Sequence, residues 1–345
     1  MSASEREESE RDCAVEAVVR PGIEVVDSHI HLWDQAGQSY LARNFLEDAR
    51  SGHNVVASVH VECGMAYDRD AAPQFQPVGE TRYIAGQAEE AAGSGHALAA
   101  AIMGSADMLL GAAIRPVLEA HREAGAGRFR GIRYRAAWDA DPQARYGPAD
   151  GYPAVPGAVR QPAFEAAARV MSELGLVLEI WAFHTQLGEV MNLAARCPDL
   201  TIGVNHIGGP LGLGSYAGQR DDVFRSWSAN IRSLSACPNV QMKIGGLGTS
   251  RMGFLFRKQG RRQSSDEFAD GARQYILTCL DAFGPGRCYF GSNFPVDRSV
   301  CSYRVYLNAF KKIMDKFSEE ENRAVFSGNA RRIFQLNKLP IGNSA

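Results

Sequence analysis

No stretch of this sequence is apolar for long enough to cross a bilayer, which needs ~20 residues, and its first twenty residues hold no hydrophobic centre of the kind a signal peptide needs. Residues 1–22 are dense in Glu and Arg instead and read as a weakly ordered, solvated leader. The seven cysteines include no Cys-x-x-Cys pair, which argues against a disulfide scaffold or a structural zinc cluster and fits a reducing cytoplasm. Neither sign of charge is in excess: 37 Lys and Arg stand against 39 Asp and Glu, a formal net charge of -2. Neither nucleic acid nor an anionic membrane is therefore expected as a partner. No Gly-x-Gly-x-x-Gly follows an early strand, which weakens a dinucleotide-binding reading. Internal repeats and low-complexity tracts are also missing.

What is present is alternation. Strands are expected over Val25–Leu32, Asn54–Glu62, Ala97–Met103, Phe129–Arg135, Leu176–Ala182, Thr201–His206, Val240–Ile244 and Cys288–Asn293. Helical stripes lie between most of them: Ile114–Glu123, a helix entered at Pro162 and closed by Gly175, then stripes through Leu187, Phe224, Ile276 and Tyr306. Ser318 with Glu321 forms a capping box that opens a C-terminal helical tail. Parallel neighbours need a crossover, and a helix is the usual one. About eight such units in 345 residues suit a single-domain α/β fold, the closed (β/α)8 TIM barrel, over residues 23–336 with a tail at 337–345.

In the first strand Asp27, His29 and His31 fall on alternate positions and are expected to share a face, with Val26, Ile30 and Leu32 on the other. Two imidazoles at a strand's C-terminal end converge on a metal ion or a substrate, or form a hydrogen-bonded core pair. The last polar residues of the other strands extend the series with Glu62, Arg133, His184, His206, Lys243 and Asn293. Ionisable groups are costly to bury unpaired. Their recurrence at one depth of a barrel points to a shared cavity at its C-terminal mouth.

Val-Asp-Ser-His29-Ile-His31-Leu-Trp-Asp, Gly131-Ile-Arg133-Tyr, Val204-Asn-His206-Ile-Gly-Gly-Pro, Lys243-Ile-Gly-Gly, Gly291-Ser-Asn293-Phe-Pro-Val-Asp297 and Ser327-Gly-Asn-Ala-Arg-Arg together resemble the amidohydrolase-related family. This is a branch of metal-dependent TIM-barrel hydrolases that includes sugar-acid and pyrone-dicarboxylate lactonases. The resemblance runs from about Ile23 to Leu336. It implies His29, His31, His184 and His206 as metal or substrate ligands, with a divalent ion, zinc by its chemistry, as cofactor. His184 is out of phase with Glu179 and Trp181, so a ligand and a loop residue remain alternatives for it.

Two departures qualify the resemblance. Many relatives end the eighth strand on an aspartate that serves as ligand and general base; here Asn293 stands at that position, and an amide can neither accept a proton nor ligate strongly. Asp297 lies close by as a substitute base or as a loop cap. The fourth strand has no lysine to carry a bridging carbamate, so a binuclear centre is not expected. Lactonase relatives of this branch also work without a metal, which leaves metal content open.

The implied activity is hydrolysis of a small acidic metabolite, a lactone or related carboxylic ester, by activated water. The water would be activated by a bound divalent ion or by a histidine, with His206, Asn293 and Asp297 as catalytic candidates, and Arg133 and Lys243 would hold a substrate carboxylate or the oxyanion. The alternative for both cations is an internal salt bridge with Glu62 or Glu179. His60 is expected behind the site beside Glu62; His53, His96 and His121 receive no role. The long Ala136–Gln161 segment is expected to act as a lid that brings Trp138, Tyr146 and Tyr152 over the substrate. The basic loop Arg257, Lys258, Arg261 and Arg262 either attracts an acidic substrate or is a solvated face. Competing readings are a metal-dependent non-oxidative decarboxylase of an aromatic or muconate-type acid and a non-catalytic binding barrel. The expected partner is a small-molecule carboxylate, and a homo-oligomer is left open.

Overall fold

The computed structural model describes residues 16–35, 37–146, 154–253 and 262–336. Eight strands form one sheet in sequence order: β1 (Glu24–Ile30), β2 (Asn54–Val61), β3 (Ala97–Gly104), β4 (Phe129–Arg135), β5 (Val177–Trp181), β6 (Ile202–Val204), β7 (Val240–Gly245) and β8 (Cys288–Gly291). Each paired neighbour runs parallel. The sheet's two edges meet just beyond β8. There the Asn293 amide donates to the His29 carbonyl and the His31 amide to the Phe294 carbonyl, both at 2.8 Å. The result is the expected (β/α)8 barrel.

A helix follows each strand: α1 (Ala42–Ala49), α2 (Val78–Glu90), α3 (Arg115–Ala124), α4 (Pro162–Glu173), α5 (Leu187–Arg196), α6 (Arg220–Ser235), α7 (Ser265–Phe283) and α8 (Tyr303–Ile313). The first two have no counterpart among the expected helices. The buried face of α2 is Val78, Ile84, Ala85 and Ala88 with the polar Glu80 and Thr81 among them, too small and too interrupted to stand out as an apolar stripe. Two short helices, α9 (Glu319–Arg323) and α10 (Asn329–Ile333), end the described chain. Ser318 caps α9 as expected, its hydroxyl oxygen accepting the Glu321 amide at 3.2 Å.

Apolar side chains fill two layers. One lies between the strands and the surrounding helices. The other is the barrel interior, where Val26, Val59, Val61, Met103 and Tyr289 pack with Ile333 and Phe334 from the chain's end. The C-terminal tail therefore plugs the barrel floor, tied there by Arg130 Nε donating to the Phe334 carbonyl at 2.8 Å. Floor and interior being filled, the open end is the mouth above the strands' C-termini.

Of the expected leader, residues 16–22 are described, and 16–20 lie against α7 and α8. Asn308 donates to the Ala17 carbonyl and accepts the Val19 amide, and Lys311 donates to the Arg20 carbonyl. Residues 1–15 and 337–345 lie outside the described residues, as do Tyr152, Arg257, Lys258 and Arg261. Among the described residues no helix is long and apolar enough to cross a membrane.

Candidate active site

Two breaks in regular strand geometry deliver the histidines. On β1, Asp27 pairs with Ser58 and Ile30 with His60, so β1 uses three residues where β2 uses two, a bulge that reverses the phase. Before it, Val26 faces the barrel interior and Asp27 faces away, accepting the Tyr303 hydroxyl of α8 and the Ser292 amide, each at 2.8 Å. Beyond it, His29 and His31 turn inward. The expected common face of Asp27, His29 and His31 is corrected accordingly: a period-two pattern does not survive an inserted residue.

The second break follows β6, where His206, Ile207, Gly208 and Gly209 all have positive φ, a run that non-glycine residues adopt only under constraint. It swings the His206 ring over the barrel. A Cβ at Gly246, just past β7, would lie 1.7 Å from His206 Nδ1, so the ring needs glycine there. His29 then stands 4.6 Å from His206 and 4.9 Å from His31, ring centroid to ring centroid. Trp33 stacks on His31 and the edge of Trp181 meets His206.

Carbonyls can only accept, which assigns two tautomers. His31 Nδ1 donates to the Val61 carbonyl at 2.7 Å and His206 Nδ1 to the Gly245 carbonyl at 3.3 Å. Each ring thereby keeps an Nε2 lone pair. Burial, reinforced by the charge of Arg133, holds both well below the ordinary imidazole range, so both are neutral bases at pH 7.

Asn293 sits at positive φ with its Oδ1 3.2 Å from His31 Nε2. Its Nδ2 donates to Asp297 Oδ1 at 2.8 Å, and Gly248 N donates to Asp297 Oδ2 at 2.9 Å. Burial pushes the Asp297 carboxyl up to about 7 despite those two bonds. Fully buried and absent from the cavity wall, Asp297 reaches the site through Asn293.

The cations form two separate ionic clusters, one around Glu62 and one around Glu179. Glu62 accepts Arg133 Nε at 2.6 Å and Arg135 Nε at 2.8 Å, and its backbone carbonyl accepts Arg133 Nη2. Burial alone would raise the Glu62 carboxyl, but the two guanidiniums draw it below the usual range. Lys243 is wholly buried, donating to the Ser28 carbonyl and to Glu179, with Nζ 2.6 Å from Oε1. Its Nζ also lies 3.3 Å from His29 Nδ1. Arg133 and Arg135 reach the cavity wall; Lys243 stays beneath it.

A cavity of about 390 Å³ opens at the barrel mouth, lined by His31, His206, Asn293, Arg133, Arg135 and aromatic walls. Trp33, Tyr146 and Trp181 supply the rings. Trp138 is not on the wall: its ring lies under the Arg145 guanidinium and its amide donates to Gln186.

His184 does not join the other three histidines, which corrects the expected circle of four. The chain enters a 3-10 turn at His184, where its ring meets Tyr216 and its Nδ1 accepts the Leu211 amide. His60, expected behind the site, points outward to Glu80 on α2 at 3.2 Å, because Val59 and Val61 take the inward positions of β2. Sequence reasoning missed Trp181 as a wall residue, although its alternation with the inward Glu179 was a usable signal. It gave no site role to Cys63, which carried none.

The sequence pattern of the family described as Amidohydrolase matches residues 26–336. The chain belongs to the amidohydrolase family. This amidohydrolase is 28% identical to an uncharacterised protein of Sinorhizobium fredii, over 91% of this chain and 99% of that one. It is 26% identical to an L-fucono-1,5-lactonase of Burkholderia multivorans, over 90% and 96%. Among solved structures, an amidohydrolase of Burkholderia multivorans with bound zinc matches with a TM-score of 0.68 at 22% identity, over 90% of this chain and 99% of that one. A protein described as a 2-pyrone-4,6-dicarboxylic acid hydrolase of Pseudomonas putida matches with a TM-score of 0.60 at 17% identity, over 91% and 98%.

The mouth of this amidohydrolase fits the divalent ion its family implies. His31 Nε2 and Asn293 Oδ1 are both acceptors yet face each other at 3.2 Å, and buried His29 Nε2 has no partner. A cation would satisfy His31 Nε2 and Asn293 Oδ1 together, and could take His29 Nε2 as well once Lys243 gives up Nδ1 and the ring proton moves there. The set holds no carboxylate, and Lys243 beside His29 Nδ1 competes for the same imidazole, so such an ion would be held less firmly than by an aspartate-bearing site.

Proposed function

We propose that this amidohydrolase hydrolyses a small lactone bearing a carboxylate. The observation that carries the reading is one cavity that combines neutral imidazoles, their Nε2 lone pairs unspent, with the Arg133 and Arg135 guanidiniums. Similarity to an L-fucono-1,5-lactonase along nearly the whole chain supports the same reaction class. The cavity volume suits a metabolite-sized substrate.

In this reading His206 Nε2 takes a proton from water as its oxygen attacks the lactone carbonyl. Arg133 and Arg135 bind the substrate carboxylate and lower the cost of charge on the carbonyl oxygen. The proton passes to the ring oxygen as the acyl C–O bond breaks, leaving a hydroxy acid. A divalent ion at His29, His31 and Asn293 would supply Lewis acidity and a water of pKa about 7. Lys243 steadies His29 from below, and Trp33, Tyr146 and Trp181 shield the bond from bulk water.

The test is turnover of a panel of sugar-acid lactones, pyrone carboxylates and aromatic acids in ¹⁸O-water. Lactone opening with one ¹⁸O in the new carboxylate is expected. Carbon dioxide release from an aromatic acid would favour decarboxylation instead, and saturable binding with no turnover of any panel member would favour a binding barrel.

A further inference from the structure

A second cluster of ligating atoms stands behind the cavity wall, where the end of β2 meets the first turn of α2. His60 Nε2 lies 3.2 Å from Glu80 Oε1, and Cys63 Sγ lies 3.3 Å from the same oxygen. All three ligating atoms fall within 4.8 Å of one another, the one such group of three among the described residues. From this juxtaposition we infer a zinc site, distinct from the histidines at the mouth, formed by His60, Cys63 and Glu80.

Two of the three ligand separations lie close to the edges of a metal polyhedron, and the third is within 4.8 Å. Zinc binds imidazole nitrogen and carboxylate oxygen at about 2.0–2.2 Å and thiolate sulfur at about 2.3 Å, so tetrahedral ligand edges fall at roughly 3.3–3.7 Å. The two measured separations need only a few tenths of an ångström to reach that range. The carboxylate is oriented in advance, because the Cys63 and Gly64 amides donate to its two oxygens at 2.7 and 3.1 Å, the kind of outer bond that fixes a ligand.

Charge points the same way. Glu80 is 2% exposed, and among the described residues its only ion-pair partner is His60. A buried carboxylate otherwise needs a full countercharge. Zinc with Glu80 and the Cys63 thiolate sums to zero. On binding, the Cys63 thiol releases its proton to solvent. The His60 proton moves from Nε2 to Nδ1, which is buried without a partner. An entry path exists, since Cys63 lines the mouth cavity. Zinc here would also clamp the segment carrying Glu62, and through it Arg133 and Arg135.

Cobalt(II) titration of the full chain, stripped by chelator and kept reduced, tests the site independently of any catalytic reading. The mouth ligands contain no sulfur, so a thiolate-to-cobalt absorption band reports this cluster alone. The expected result is a band saturating near one equivalent and displaced by zinc. It should survive in His31→Ala, vanish in Cys63→Ser, and require at least about tenfold more cobalt in Glu80→Gln. Absence of the band in the wild-type chain, or its persistence in Cys63→Ser, would overturn the site. Circular dichroism of Cys63→Ser confirms that loss of the band is not loss of fold.

Discussion

The imidazole of His31 and the amide of Asn293 meet acceptor to acceptor, Nε2 to Oδ1, at 3.2 Å. Each is locked from behind. The Val61 carbonyl fixes the His31 proton on Nδ1, and Asp297 claims the Asn293 Nδ2. Two like dipole ends held together in a buried site call for something positive, or a hydrogen donor, between them.

Asn293→Asp follows directly. The exchange places one oxygen of a new carboxylate against His31 Nε2 and its other oxygen where Nδ2 now lies, 2.8 Å from Asp297 Oδ1. Divalent-ion affinity at the mouth should rise by at least about tenfold, and the pH–rate profile should gain a new limb from the paired carboxyls. Isothermal titration with zinc in a Cys63→Ser background isolates this site; unchanged affinity would remove Asn293 from the ligand set.

Asp297 makes stability depend on pH in a defined direction. Its folded pKa, raised to about 7, exceeds the ordinary aspartate value near 3.9. Between those values the folded state keeps a proton that the unfolded chain has lost, so stability falls as pH rises. The slope from this one group is at most roughly 1.4 kcal/mol per pH unit. Asp27 and Asp48, also raised by burial, act in the same sense. The informative quantity is therefore the difference between wild type and Asp297→Asn, which should grow between about pH 4 and pH 7 in urea denaturation. Parallel profiles would contradict it.

Lys243 is expected to matter for folding before chemistry. Lys243→Met leaves Glu179 buried without its cation, with, among the described residues, the Tyr289 hydroxyl at 2.8 Å still donating to it, at a cost of about 3–5 kcal/mol. Adding Glu179→Leu should recover most of that loss. A destabilised single variant rescued by the double, followed by thermal denaturation, separates this ion pair from a substrate contact.

Much of this architecture could be read from the chain itself. The eight strands were legible because each is a short apolar run ended by a polar residue, and His29, His31 and His206 because such residues recur at one depth. What escaped has physical causes. The β1 bulge leaves no mark in residue types, so strand alternation alone puts Asp27 on the face of His29 and His31, opposite to where it lies. The helix α2 buries mainly small residues, so Glu80, and with it the cluster at His60 and Cys63, was not visible. His184 shows the limit of reading strand ends: one residue of turn decides where a ring points. Whether Arg133 and Lys243 meet substrate or carboxylate partners depends on side chains distant in sequence, Glu62 and Glu179, which no local pattern pairs with them.

The long β4–α4 segment yields a contrast between two rings. Tyr146 lines the cavity, whereas Trp138 is held by Arg145 and Gln186. Tyr146→Ala should raise KM by about 3- to 10-fold, the worth of one aromatic contact, with Trp138→Ala changing it less. Equal effects would mean that the segment acts as a unit rather than through Tyr146.

Hydrolysis at the barrel mouth depends most heavily on His206, the neutral base that a run of positive-φ residues holds over the barrel. The decisive measurement is kcat/KM for the best lactone of the panel in wild type and in His206→Ala, with folding checked by circular dichroism. A fall of about 10²–10⁴-fold in a folded variant is the predicted result; wild-type rates in that variant would contradict a hydrolytic centre at the barrel mouth.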